Sequence, residues 1–384
     1  RLLVNGGYGI VAKKINALLA GGGTAGHVNP LLATAAQLRE RGAQVLVLGT
    51  HEGLEDRLVP AAGFELRYIP KVPLPRKPST DFLRLPGRLR EAIDGAKAAI
   101  EENESDVVVG YGGYVSLPAY WAAKSMGVPV VIQEQNARPG IANKLGAKQA
   151  VALGLSFPDT PLQARHGVTE VTGMPLRAAI TTLARSRQDP IQRAQLRQQG
   201  AKELGLDPQL PTVLVTGGSL GALSLNRAVA QAYRDYQGQV QVLHLTGKGK
   251  SEQVLQLLEG ADTTHYHVLE YLDGMEYAYA AADAVICRSG AGTVSELTAV
   301  GLPALYVPLP IGNGEQRLNA AAVVAAGGGK LVADDKLNAS HIADLFNLTN
   351  NTRRLEVASH AAASCGNPDG TAKFVDLIES VVGE

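Results

Sequence analysis

Two stretches of this 384-residue chain share a chemical logic, and one of them carries a histidine. The first reads LLAGGGTAGHVNPLLATAAQL, residues 18–38; the second reads VLVTGGSLGALSLNRAVAQAY, residues 213–233. Each is a short apolar run, a glycine-rich turn and then a helical pattern. In the turn Gly22–Gly23–Thr24–Ala25–Gly26 the missing side chains let backbone approach a ligand, and the following helix offers free N–H groups and a partial positive charge. Asn29 is expected to cap that helix and Pro30 to suit its first turn. Gly217–Gly218–Ser219–Leu220–Gly221 repeats the arrangement. Two further loops add to it, Gly110–Tyr111–Gly112–Gly113–Tyr114 and Ser289–Gly290–Ala291–Gly292–Thr293. One such loop is as well explained by tight strand–helix packing, but four at matched positions point to phosphate-bearing ligands. His27, present in the first copy alone, marks where a proton would move, because an imidazole titrates near pH ~6.5. No G-x-G-x-x-G with a later acid and no phosphate loop ending in Gly-Lys-Ser/Thr occurs, which disfavours a nicotinamide dehydrogenase or an NTPase.

These loops require strands to carry them. Strands are expected at about 16–20, 45–48, 106–110, 129–133, 151–154 and 169–172, and again at about 212–216, 241–245, 267–269, 283–287, 304–307 and 330–332. Many are short and rich in Val, Ile and Leu, as strands buried on both faces should be. DVVVGYGGYVSLPAYWAAKSMGVPVVI (106–132) resembles DAVICRSGAGTVSELTAVGLPALYV (283–307) in order. The offset between the copies is 195 residues at Gly22 and Gly217 and 174 at Gly127 and Gly301. The expectation is two doubly wound α/β domains facing a cleft, with ligands at the carboxyl ends of the strands. The boundary is placed near VTGMPLR (171–177). Residues 181–210 read as a helix and a loop leading into the second half.

The totals exclude other classes. Lys plus Arg and Asp plus Glu are 36 each, so a general nucleic-acid binder is not expected. Two cysteines, Cys287 and Cys365, make no disulfide framework and suit a reducing compartment. No apolar run approaches the ~20 residues that span a bilayer. RLLVNGGYGIVAKKINALLA lacks the long apolar core of a secretory leader, and the first domain is expected to begin at about residue 15.

Read together and in order, GGGTAGHVNP, GYGGYVS, QEQNARPGIANK, TGMPLR, TGGSLGALSLN, YLDGM, CRSGAGTVSE and GNGEQRLNA resemble the MurG family, from about Asn16 to the C-terminus. The resemblance implies a GT-B fold: a Rossmann-like acceptor and membrane-binding domain (15–175), a UDP-GlcNAc-binding domain (176–367), and a C-terminal helix of about 368–384 packing back on the first. It implies an inverting transfer of GlcNAc from UDP-GlcNAc to the MurNAc 4-hydroxyl of lipid I, giving lipid II, without metal or other cofactor. His27 is then the base candidate and Glu134 its rival or orienting partner. Gly218, Ser219 and Arg177 would hold the UDP phosphates, Glu296 the ribose, and the Leu272 backbone the uracil. Asn136, Gln316, Glu315 and Ala291 would face the GlcNAc hydroxyls, with Glu315 standing where other members have Gln. Thr24, Gly26, Gly112, Gly113 and Tyr114 would face the lipid pyrophosphate. Ala25, where many members have Gly, narrows the first loop's freedom.

One segment suggests how a lipid-linked acceptor is reached. Residues 71–90, KVPLPRKPSTDFLRLPGRLR, hold six basic side chains against one acid. Val72, Leu74, Phe82, Leu83, Leu85 and Leu89 are interleaved. Basic plus apolar residues suit docking on the anionic cytoplasmic face of a membrane, as a peripheral protein. The other readings are a second GT-B enzyme, either a soluble-acceptor transferase or a UDP-GlcNAc 2-epimerase, and a non-catalytic nucleotide-sugar-binding protein.

Overall fold

The computed structural model describes residues 14–72, 85–218 and 222–383. Two parallel sheets form the framework. The first contains β1 (Asn16–Ala20), β2 (Gln44–Gly49), β3 (Glu65–Tyr68), β4 (Val107–Gly110), β5 (Val130–Glu134), β6 (Ala152–Leu155) and β7 (Val168–Glu170), in the order β3-β2-β1-β4-β5-β6-β7. The second contains β8 (Thr212–Thr216), β9 (Gln241–Leu245), β10 (Tyr266–Leu269), β11 (Ala284–Cys287), β12 (Ala304–Tyr306) and β13 (Gly329–Leu331), in the order β10-β9-β8-β11-β12-β13. Apart from β7, which has no counterpart, the second order repeats the first strand for strand, so the duplicated motifs share a duplicated topology. Each order reverses beside the strand that feeds the first glycine turn, β1 or β8. Ligands of open α/β sheets bind at such a switch point.

Alternation along the strands builds a core on each sheet face. Leu18 and Ala20 pack with Val108 and Ile132 on one face, while Ala17 and Leu19 pack with Val109 and Phe374 on the other. Val213 and Val215 do likewise opposite Leu214. The helix Gly370–Val382 supplies Phe374, Val375 and Ile378 to the first sheet's core and is tied down by Arg41, which meets Asp376 at 2.6 Å and Glu379 at 2.7 Å.

Three local expectations are corrected. β3 was not foreseen: its sequence ELRY exposes alternate residues at the sheet edge and lacks the apolar run that marks an interior strand. The helix after the first glycine turn, α1 (Ala25–Glu40), starts one turn early, so Asn29 and Pro30 lie inside it. The Thr24 carbonyl accepts from both His27 and Val28 N–H and closes the first turn there. Pro30 has no N–H to give the Gly26 carbonyl, so α1 carries one interior backbone hydrogen bond fewer there. Between the halves lie two helices rather than one, α6 (Ala178–Ser186) and α7 (Pro190–Leu204). Asp189 caps the second, accepting from Ile191 N–H at 2.8 Å and Gln192 N–H at 3.1 Å, with Pro190 at its first position.

Candidate active site

β1 and β4 are sheet neighbours, so the loops at their carboxyl ends meet. A β-carbon on Gly113 would come within 2.8 Å of the Gly22 carbonyl, a contact only glycine permits. Gly113 begins the helix α4 (Gly113–Met126), and Gly112 and Gly113 have φ of 88° and 81°. Ser116 ties the crossing together: its Oγ lies 2.8 Å from both the Ala20 and the Gly112 carbonyl, which share its single proton. The His27 ring lies between the two loops: a β-carbon on Gly112 would sit 3.4 Å from Nε2, and Thr24 Oγ1 is 3.2 Å from Nδ1. Burial pushes the imidazole below its usual range, against the opposing pull of the Gly22 carbonyl and the Glu55 charge. A neutral imidazole is the form that accepts a proton. Thr24, Gly26, His27, Gly112 and Gly113 thus share one corner, and Tyr114, half exposed, stands at its rim with Lys71 Nζ 5.4 Å from its ring centre.

Glu134 occupies a different position from an open base. It is buried at the end of β5 and its oxygens are taken: Oε1 accepts from Asn136 N–H at 2.9 Å, and Oε2 from Asn143 Nδ2 at 2.9 Å and Gly140 N–H at 3.1 Å. Burial raises its carboxyl above the ordinary range while these donors oppose the shift. The arrangement holds the loop 135–140 in shape. Asn143, on helix α5 (Ile141–Gly146), also accepts from Tyr120 OH at 2.8 Å and faces Gly112.

A carboxylate that the sequence reading passed over lies directly under the first loop. Glu55, on helix α2 (Glu55–Ala61), is fully buried and accepts from Gly23 N–H at 2.8 Å, Thr50 N–H at 3.0 Å and Thr50 Oγ1 at 2.9 Å. The Gly23 amide is therefore committed to the protein. The signal in the sequence was Gly49-Thr50 and Gly53-x-Glu55 at the end of β2; an acid in a first helical turn reads as an ordinary dipole partner.

Around the second sheet, Ser219 lies outside the described residues, as do Leu220 and Gly221; Gly218 leads into them with φ of 82°. Arg177 and Glu296 come together, Nη2 to Oε1 at 3.3 Å, and Tyr279 OH donates to Glu296 Oε2 at 2.8 Å. Ala291 opens the helix Ala291–Val300, at whose start added β-carbons on Gly290 or Gly292 would meet nothing within 4 Å. Leu272 is half-buried in the loop after β10. Glu315 and Gln316 face their own loop: Glu315 accepts from Asn313 N–H at 3.2 Å, and Gln316 Oε1 from Leu309 N–H at 2.9 Å. The halves meet at Asn136 and its neighbours. Asn319 Oδ1 accepts from Ala137 N–H at 2.9 Å, and its Nδ2 donates to Asn136 Oδ1 and the Ser289 carbonyl, both at 3.3 Å. Arg138 donates to the Asn313 carbonyl. Among the described residues, no group of three His, Cys, Asp or Glu is placed to hold a metal ion.

The basic segment is corrected in part. Residues 73–84 lie outside the described residues. Of its interleaved apolar side chains, Val72 is buried and Leu85 and Leu89 pack against the first core, because helix α3 (Leu85–Glu102) turns its i, i+4 face inward. Arg88 and Arg90 remain exposed. No described helix is long and apolar enough to cross a membrane.

Two Rossmann-like domains with facing glycine loops, a neutral histidine on one side and an acid–arginine–tyrosine cluster on the other define a GT-B glycosyltransferase. Comparison with known proteins narrows the class. Residues 17–153 match the glycosyltransferase family 28 N-terminal domain and residues 212–380 the family 28 C-terminal domain. A Bifidobacterium longum protein, named UDP-N-acetylglucosamine–N-acetylmuramyl-(pentapeptide) pyrophosphoryl-undecaprenol N-acetylglucosamine transferase, is 51% identical over 86% of this chain and 88% of its own. A Streptomyces coelicolor protein of the same name is 47% identical over 96% and 98%. The crystal structure of Acinetobacter baumannii MurG superposes with a TM-score of 0.75 at 29% identity, covering 96% of this chain and 99% of that one. The chain belongs to glycosyltransferase family 28 and, within it, to the MurG family. A UDP-GlcNAc 2-epimerase from Neisseria meningitidis, at 16% identity and a TM-score of 0.66 over 95% of this chain and 99% of that one, shares the fold alone.

Proposed function

We infer that the protein transfers GlcNAc from UDP-GlcNAc to the MurNAc 4-hydroxyl of lipid I, undecaprenyl-pyrophosphoryl-MurNAc-pentapeptide, forming lipid II with inversion at the anomeric carbon. The observation that carries this reading is the identity of about half the residues with transferases of that name over nearly the whole chain. The site residues support a sequence of events. His27, neutral and seated between two loops, takes the proton of the acceptor hydroxyl as its oxygen attacks the anomeric carbon. The C1–O bond to UDP breaks on the opposite face, and the leaving diphosphate takes the electron pair. Loop amides near Gly218 and Ser219, together with Arg177, stabilise that charge. Glu296 takes the ribose hydroxyls, Leu272 the uracil, and Asn136, Ala291 and Gln316 the sugar, with Glu315 keeping their loop in shape. Thr24, Gly26, Gly112, Gly113 and Tyr114 receive the lipid pyrophosphate. Glu134 keeps the 135–140 loop in place rather than moving the proton.

The lipid tail of the acceptor calls for work at a membrane surface. Lys71, Arg88 and Arg90, with Arg76, Lys77 and Arg84 of the same segment, suit the anionic cytoplasmic leaflet, each contributing ~1 kcal/mol near the surface. Charge reversal at Arg84 and Arg88 should weaken co-sedimentation with phosphatidylglycerol vesicles; unchanged binding rejects this docking surface.

UDP release measured with and without a short-chain lipid I analogue tests the transfer itself. Release should require the acceptor and fall roughly a hundredfold or more in His27→Ala. Release without acceptor would point to the epimerase reading, and binding of UDP-GlcNAc without any release to a binding protein.

A further inference from the structure

The first glycine loop is built around Glu55, and its construction is costly. Three glycines leave the space the side chain fills: an added β-carbon would collide with the carboxylate oxygens at Gly22 and Gly53 and lie 2.6 Å from Cγ at Gly49. Among the described residues its hydrogen-bond donors are neutral, Gly23 N–H and the Thr50 N–H and hydroxyl. Burying a carboxylate with neutral partners is less favourable than burying a neutral side chain of the same shape. A glutamine would accept from Thr50 equally well. A negative charge here is also the wrong sign for a loop that only cradles phosphates. The charge lies on the His27 side of the loop: the carboxylate packs against Gly22, and the Gly22 carbonyl and the His27 ring both stand beside Gly113.

We propose that Glu55 is a positioning residue for the transfer: its carboxylate fixes the first loop through the Gly23 N–H and supplies a negative charge on the His27 side of that loop. The proposal rests on the reading of His27 as the proton acceptor. A buried imidazole loses basicity, and a nearby anion restores part of it, so the ring stays neutral at rest yet can hold the proton once the acceptor oxygen gives it up. The other acid in this corner is Glu134, from β5. Asn143 stands between it and Gly112, and its charge is met by Asn136, Gly140 and Asn143 donors. The first turns of α1 and α4 hold no acid. The Gly23 contact explains the loop's geometry as well: with that amide engaged, the N–H groups left to an anion are those of Thr24, Ala25 and Gly26, nearer the ring.

The test compares Glu55→Gln with the parent by two readouts. One is the titration midpoint of the His27 ring, followed by NMR in the imidazole-labelled protein and assigned with His27→Gln. The other is steady-state transfer to a short-chain lipid I analogue. In Glu55→Gln the His27 midpoint should fall, because the charge that opposes the burial shift is gone. kcat should drop roughly tenfold to a hundredfold, with the KM for UDP-GlcNAc within about twofold because the donor residues lie on the other sheet. An unmoved His27 midpoint overturns the proposal, whatever happens to kcat or to the melting temperature. If the glutamine variant does not fold, Glu55→Asp replaces it: the charge stays but cannot reach Gly23, so kcat falls severalfold at an unchanged midpoint. A wild-type kcat in that variant overturns the proposal. Absence of transfer in the parent would defeat the functional reading instead, while the NMR titration would still decide the role of Glu55.

Discussion

Glu296 shows how residue-scale chemistry is half visible in a sequence. Its position after the fourth glycine loop marks it, yet its partner Tyr279 reads as one more apolar residue in an alanine-rich helix. Only folding brings the phenol within 2.8 Å of the carboxylate. Deleting that hydroxyl removes one hydrogen bond to a charged group, worth about 1.5–3 kcal/mol. Tyr279→Phe should therefore raise the KM for UDP-GlcNAc by roughly tenfold or more while kcat changes less, and an unaltered KM would show that Tyr279 does not orient Glu296. His244 carries a different consequence. It is fully buried, with Nδ1 2.6 Å from Tyr266 OH and Nε2 2.9 Å from Asn226 Oδ1. Asn226 Nδ2 donates to the Thr246 carbonyl, so its Oδ1 is left to accept from Nε2–H of the ring. Burial pulls its pKa from 6.5 to about 3. Above pH 6.5 both folded and unfolded rings are neutral and nothing is lost. Below it the unfolded chain binds a proton that the folded one refuses, so stability falls as pH drops. The loss is about 2 kcal/mol at pH 5. Urea unfolding at pH 8 and pH 5 should show a smaller loss in His244→Gln than in the parent; equal losses would place the pH dependence elsewhere.

At the scale of elements, what was legible was whatever depends on backbone and period. The interior strands announced themselves as Val-, Ile- and Leu-rich runs, and the glycine turns marked where each strand delivers its loop. The edge strand β3 and the true start of α1 did not, since an alternating tetrapeptide and a helix begun by a Thr24 carbonyl leave no strong compositional mark. The paired glycines Gly127 and Gly301 illustrate the readable kind. Each ends the helix after a glycine loop, each has φ of 71°, and each is followed by a hydrophobic residue and a proline. A side chain in that left-handed conformation costs ~1–2 kcal/mol. The two sites are not equivalent in their surroundings. A β-carbon at Gly127 would meet nothing within 4 Å, whereas at Gly301 it would lie 3.3 Å from Ala363 Cβ. Thermal unfolding should thus be lowered by both alanine substitutions, by roughly 2–8 °C at Gly127 and by more at Gly301. The reverse order would mean that the packing of Ala363 is slack.

For the whole molecule, the doubled topology was readable from matched motifs, but the means by which the halves engage was not, because it includes hydrogen bonds between residues 175 to 183 positions apart. Asn319 is central to it. Its amide is buried and directional: the oxygen takes the Ala137 N–H of the first half, and the nitrogen reaches both Asn136 and the Ser289 carbonyl of the second. The same side chain thereby links the end of β11 to the loop that Glu134 shapes. Asn319→Asp keeps the volume and the acceptor for Ala137 but turns a second oxygen toward two acceptors, leaving a buried charge opposed by carbonyl dipoles. Separating the halves relieves that opposition by admitting water. Small-angle scattering should report a larger radius of gyration for Asn319→Asp than for the parent, and the KM for UDP-GlcNAc should rise because Asn136 no longer stands opposite the second half. Asn319→Ala removes the tie without adding repulsion and should fall between the two. If all three proteins scatter alike, the contact between the halves does not depend on Asn319, and the Arg138 bond to Asn313 would be the contact to remove next.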